Sequence, residues 1–182
     1  MTLRYAIGLT PQQIALAILS GLALTAGFPP VGWIAAPWAA FVFLFWVMCE
    51  LDAGRSFIAG LIAGLAHYLS LLYWLVPTMK TYGYLPIWLS IIILILLAFY
   101  LSLYTAAFSF LIAWLRLGPA ASLVIIPSLW ICLEYLRELL FTGFPWGLIG
   151  YSQYDFFNLI QISDLFGVYG VSFLIMLINC FI

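Results

Sequence analysis

Charge is nearly absent from this sequence: five basic and six acidic side chains are spread over 182 residues, 6% of the chain. A soluble globular domain carries roughly 25% charged residues, so a water-facing surface cannot be built from this composition. No basic run exists to contact phosphates along a nucleic acid, and the net charge of −1 excludes that class of partner. Cysteine is scarce as well. Cys49, Cys132 and Cys180 show no metal-type spacing and lie in or beside apolar runs, where cysteine acts as a small buried hydrophobe. A single histidine, His67, cannot build a metal cluster, and neither a metal nor a cofactor is expected. There is no internal repeat, no low-complexity linker and no second domain.

What is present is apolar. Hydrophobic residues make up 68% of the chain and aromatic residues 19%, with a mean hydropathy of +1.24. The expected fold is therefore all-α, a polytopic transmembrane helix bundle. Crossing about 30 Å of hydrocarbon takes roughly 20 apolar residues, and about six segments qualify: 12–28, 33–50, 56–77, 86–116, 120–139 and 165–182. Thr10-Pro11 starts the first, a capping threonine followed by a proline at the first helical position, and Phe28-Pro29-Pro30 stops it. That stop, and the further apolar runs beyond it, argue against a cleaved secretory signal. The second segment ends at Glu50-Leu-Asp52-Ala-Gly-Arg55, and Pro77 is expected to end the third. The fourth would reach about 46 Å as one helix, so it must tilt or project from the bilayer. The fifth contains Pro127 and ends at Glu134, Arg137 and Glu138. The sixth is still apolar at Ile182, with no polar flank behind it, and the chain is expected to be either a fragment of a longer protein or the product of a truncated reading frame.

With the N-terminus cytoplasmic, Arg4, Arg55 and Arg116 fall inside and Lys80 and Arg137 outside, a small bias in the direction of the positive-inside rule. The loops 78–85 and 140–164 then face the outer side.

Ionisable groups within membrane segments mark function or a buried pair. Glu134 and Arg137, three residues apart, share one helix face. They read either as a structural ion pair near the outer interface or as groups that meet a lipid phosphate or a polar substrate. His67 follows Gly60 and Gly64, a small-xxx-small pattern for close helix packing, and is expected to hydrogen-bond a neighbouring helix. Tyr73-Trp74, Tyr82, Tyr84 and Trp88 suit an interfacial aromatic belt. A belt does not explain Phe141–Gln153, FTGFPWGLIGYSQ, which glycine and proline break too often for a membrane helix. Irregular backbone at membrane depth needs protein or a water-filled cavity beside it. It reads either as a re-entrant loop that packs the bundle or as the lining of a cleft.

The run Pro127-Ser-Leu-Trp130-Ile-Cys-Leu-Glu134-Tyr-Leu-Arg137, then Thr142-Gly143-Phe144-Pro145-Trp146 and Gly150-Tyr151-Ser152-Gln153, resembles the membrane domain of the apolipoprotein N-acyltransferases. Gly27-Phe28-Pro29, Tyr73-Trp74 and Tyr100-Leu-Ser-Leu-Tyr104-Thr105 share the likeness. The resemblance implies a bacterial inner-membrane protein in which a nitrilase-like periplasmic domain takes an acyl chain from a phospholipid as a cysteine thioester. That domain then passes the acyl group to the N-terminal amine of a diacylated apolipoprotein, which is nucleophilic catalysis in two half-reactions. It also implies that no catalytic residue lies within these 182 residues and that the chain alone does not transfer acyl groups. By the same likeness, Phe144, Pro145 and Trp146, with Trp74, Glu134, Arg137 and Gln153, are the expected lipid-contacting or loop-anchoring residues. A non-catalytic membrane scaffold and an anchor for another catalytic domain, such as a polyprenol-phosphate glycosyltransferase, stand as alternatives. A small transporter is disfavoured by the few intramembrane ionisable groups.

Overall fold

The structure, a computed structural model, describes residues 8–182, and Arg4, assigned above to the cytoplasmic side, lies outside the described residues. Among the described residues every regular element is helical: α1 (Pro11–Ala26), α2 (Pro37–Met48), α3 (Ala53–Leu71), α4 (Leu75–Thr81), α5 (Ile87–Leu115), α6 (Pro119–Leu139), α7 (Phe157–Ile160) and α8 (Ser163–Phe181), with 3-10 turns at Leu140–Thr142 and Ile149–Gln153. This is the all-α membrane bundle that the composition demands.

The helix starts follow local chemistry. Thr10 and Gln13 form a reciprocal capping box, with Thr10 Oγ1 accepting from Gln13 N at 3.3 Å and Gln13 Oε1 accepting from Thr10 N at 2.9 Å. Asp52 caps α3 by accepting from the Arg55 amide at 3.0 Å and from Arg55 Nε at 2.6 Å. These bonds hold the Asp52 carboxyl below the usual carboxylate range, the amide bond most of all. A carboxyl depressed in the fold contributes stability above its unfolded pKa near 4 and loses it as pH falls through the folded value. Exchange of the first-turn amides of α3 is therefore expected to quicken on acidification below pH 4, and to be fast at neutral pH in Asp52→Ala.

Three helices, α5, α6 with its trailing 3-10 turn, and α8, are long and apolar enough to cross a membrane, and α3 with α4 makes a fourth if the 45° bent pair is one span. The first two expected segments form shorter helices. At 16 and 12 residues, α1 and α2 reach about 24 and 18 Å at 1.5 Å per residue. The third segment also needs correction. Pro77 does not end it; the break falls at Leu72–Trp74, and Pro77 sits in the first turn of α4, where no amide hydrogen bond is lost. Pro127 lies inside α6 without ending it. α5 is one unbroken helix of 29 residues that falls within the expected 86–116, and α8 bends where Gly167 adopts φ 62°.

α3 is central, packed broadly against α5 and α1, while α6 packs on α8 and α8 on α2. Close approach is made possible by glycine. A Cβ on Gly64 would press into Ser102 of α5, and one on Gly21 of α1 would collide with the Ala63 carbonyl of α3. His67 is buried, and its Nδ1 lies 2.8 Å from Thr25 Oγ1 of α1, the interhelical role expected for it. Edge-to-face contacts of Phe41 and Phe108 with Trp130, at 4.8 and 4.9 Å, join α2, α5 and α6. Cys49 and Cys132 lie on the surface and Cys180 is half-buried. The expectation of three buried cysteines is therefore corrected, because α2 and α6 turn those positions away from their partners.

Candidate lipid-facing site

α6 runs straight into the irregular segment. After Leu139 the backbone takes positive φ at Phe141, Thr142 and Gly143, and a Cβ on Gly143 would strike the Glu138 carbonyl, so only glycine fits there. The turn lets Phe144 N donate to the Arg137 carbonyl at 3.0 Å. Gly147 has φ 71°, and a Cβ on Gly150 would sit 2.6 Å from the Val168 carbonyl of α8.

Three buried side chains pin this segment from beneath. Glu134, 3% exposed, accepts from Ile149 N through Oε1 at 2.8 Å. Ser172 of α8 accepts from Gly150 N at 3.1 Å. Gln153, 0% exposed, donates through Nε2 to the Ile34 carbonyl and to Ser152 Oγ, and accepts from Trp38 Nε1 through Oε1. Gln153 thus ties the segment to the α1–α2 connection and faces inward.

The upper side is left open. Pro145 is exposed, Trp146 is 53% exposed, and its ring lies 5.4 Å from Phe144 and 5.7 Å from Trp74 at the α3–α4 break. Phe144 packs onto the Tyr68–Leu72–Leu101 part of the core. Beside this cluster a groove of about 460 Å³ runs between Leu97 and Tyr100 of α5 and the Leu140–Phe144 backbone turn, with Phe141 edge-on to Tyr100 at 5.6 Å. A second, more apolar groove of about 590 Å³ lies between α6 and α8, walled by Ile131, Phe166 and Phe173.

Glu134 and Arg137 do not form an ion pair, the first of their two readings; among the described residues the one ion pair is Arg55–Asp52. Their side chains are taken by different elements. Arg137, 2% exposed, donates through Nη1 to the Tyr68 hydroxyl of α3, with its Cζ 5.6 Å from the Tyr68 ring centre. Glu134 Oε2, Arg137 Nε and Nη2, and Trp130 Nε1 have no hydrogen-bond partner. Glu134, Arg137 and Trp130, with Tyr68, Tyr104 and Leu133, line a gap of about 10 Å³. Tyr68 and Tyr104 were not identified as site residues from the sequence. For Tyr104 a signal was there, because Tyr100 and Tyr104 stand four apart on one helix face, and their hydroxyls meet at 2.7 Å. Among the described residues no group of three or more His, Cys, Asp or Glu is placed to hold a metal ion.

Residues 20–181 match the family model described as the apolipoprotein N-acyltransferase N-terminal domain. A protein of Geobacter metallireducens named apolipoprotein N-acyltransferase is 42% identical over 168 residues, covering 92% of this chain and 32% of that protein. Proteins of the same name from Shewanella oneidensis and Pasteurella multocida are 33% and 30% identical over 93% and 92% of this chain, and over 33% and 31% of their own length. The chain thus spans about a third of the length of these relatives.

Proposed function

The chain belongs to the apolipoprotein N-acyltransferase family, whose N-terminal domain it carries, and on that premise we propose that it is the lipid-handling membrane portion of a phospholipid-dependent acyltransferase of lipoprotein maturation. The acyl donor is a phospholipid and the acceptor is the N-terminal amine of a diacylated apolipoprotein. By the family resemblance the thioester-forming cysteine belongs to the nitrilase-like domain, and none of Cys49, Cys132 and Cys180 is assigned that role. The work of this portion is positioning, which brings an acyl chain out of the bilayer in an orientation a nucleophile can use.

One observation carries the reading. The FPW segment is held rigidly from below by Glu134 and Gln153 while Phe144, Pro145, Trp146 and Trp74 form an open aromatic edge above an apolar groove. Loops built only to pack a bundle have no need of an exposed edge on so firmly fixed a base. The charges support an orientation with loop 140–164 on the periplasmic face of the inner membrane and the N-terminus cytoplasmic. Arg55 and Arg116 sit at the start of α3 and the end of α5, whereas Lys80 and the loop lie near the opposite ends of those helices.

The test is alanine replacement of the residue aligned with Trp146 in a full-length relative, with acyl-enzyme formation and acyl transfer followed separately. Both are expected to fall by roughly 10- to 100-fold, the scale of a misplaced reactant. Unchanged rates in both half-reactions would remove the loop from the mechanism.

A further inference from the structure

Buried arginine in a membrane segment is costly, and it ordinarily has every donor engaged. Arg137 does not. Its Nη1 is spent on Tyr68, but Nε and Nη2, which form the side of the guanidinium that matches two oxygens of an oxyanion, have no partner. Trp130 Nε1, a third buried donor without a partner, belongs to the same gap. The gap, about 10 Å³, admits one oxygen-sized atom. Tyr104 lines it, and through the 2.7 Å hydroxyl contact with Tyr100 it adjoins the 460 Å³ groove beside Phe141.

We propose that Arg137, with Trp130 Nε1 and the Tyr104 hydroxyl, forms a binding site for an oxygen of a phosphate oxyanion, supplied by a glycerophospholipid whose acyl chain lies in the α5 groove. This rests on the lipid-handling reading and adds to it a headgroup contact that tells a phospholipid from a neutral lipid. Glu134 Oε2 borders the same gap and opposes an anion there. Glu134→Gln keeps an oxygen for the Ile149 amide and offers an N–H donor in place of Oε2, so it is expected to tighten phosphate binding.

The experiment measures binding of phosphatidylglycerol and of diacylglycerol with the same acyl chains to the whole chain purified in detergent, by native mass spectrometry, with inorganic phosphate as a third ligand. Phosphatidylglycerol is expected to bind about tenfold or more tightly than diacylglycerol, as a charge-assisted contact requires. Arg137→Lys removes the two-pronged edge and is expected to erase that preference. Tyr104→Phe, which loses one oxygen and keeps its packing, is expected to weaken the preference several-fold. It stands in for Arg137→Lys if circular dichroism shows that variant unfolded. Displacement of the lipid preference by inorganic phosphate, or thermal stabilisation by inorganic phosphate alone, supports the oxyanion site and in the latter case assigns it to free phosphate. Equal binding of the two lipids by the unmodified chain overturns the oxyanion site and leaves the lipid-handling reading intact. Binding of neither lipid overturns both.

Discussion

Glu134→Leu is expected to cost the fold about 1–3 kcal/mol, the range for leaving a buried amide without its acceptor. The carboxylate is the buried acceptor for the Ile149 amide. Leucine offers no oxygen and leaves that amide unpaired. The first 3-10 residue of the segment that carries Gly150 and Gln153 is freed at the same time. Denaturant unfolding in detergent micelles measures the cost. Glu134→Gln, which keeps the acceptor and a polar side chain, is expected to stay within about 1 kcal/mol of the unmodified protein. Equal losses for the two replacements would mean that bulk packing, not the Ile149 bond, sets the value.

The second large effect is expected at the α3–α5 seam. A Cβ on Gly60 would lie 2.6 Å from the Thr105 carbonyl oxygen and 2.8 Å from Ser109 Cβ. The carbonyl belongs to the backbone of α5 and cannot turn aside. Gly60→Leu must therefore push apart the broadest helix contact in the bundle, at about 3 kcal/mol or more. In membrane proteins such seams depend on close van der Waals fit, because lipid supplies no hydrophobic drive between helices. Loss of the monodisperse peak in detergent chromatography is the expected readout. Gly54→Ala is the matched control. Its Cβ would find only Asp52 Oδ1 at 3.4 Å, and alanine favours the helix by up to about 1 kcal/mol. A stable Gly60→Leu protein would show that α3 and α5 do not meet as described.

How far the sequence reveals this molecule depends on whether the deciding force is local. Helix starts at Thr10-Pro11, Pro86 and Gly118-Pro119 are set by caps and by proline's fixed φ, and they are readable within a residue or two. The α3–α4 break is not readable in that way. Leu72-Tyr73-Trp74 holds neither glycine nor proline, and the proline that does lie nearby is compatible with the first turn of α4. Spacing rightly places Glu134 and Arg137 on one helix face, yet spacing cannot reveal that Ile149 and Tyr68, from elsewhere in the chain, claim them separately. Gln153 shows the same limit. Its place in the GYSQ motif marks it as special, but only the folded chain shows all its bonds directed into the protein, to Ile34, Trp38 and Ser152. Trp146 is the opposite case, because proline and glycine on both sides already announce an aromatic side chain held out on a shaped loop.

The most direct measurement is photo-crosslinking of a phospholipid carrying a diazirine near the end of one acyl chain, in bilayers containing the chain, with the adducts mapped by mass spectrometry. If the pinned loop is where lipid is taken up, adducts concentrate on Phe141–Trp146 and on Leu97 and Tyr100 of the adjoining groove, and Trp146→Ala with Phe144→Ala thins them out. Adducts spread evenly over the exposed faces of α5, at Ile95, Leu96 and Phe99, with no enrichment at the loop in the unmodified protein, would contradict a lipid-handling role for FTGFPWGLIGYSQ.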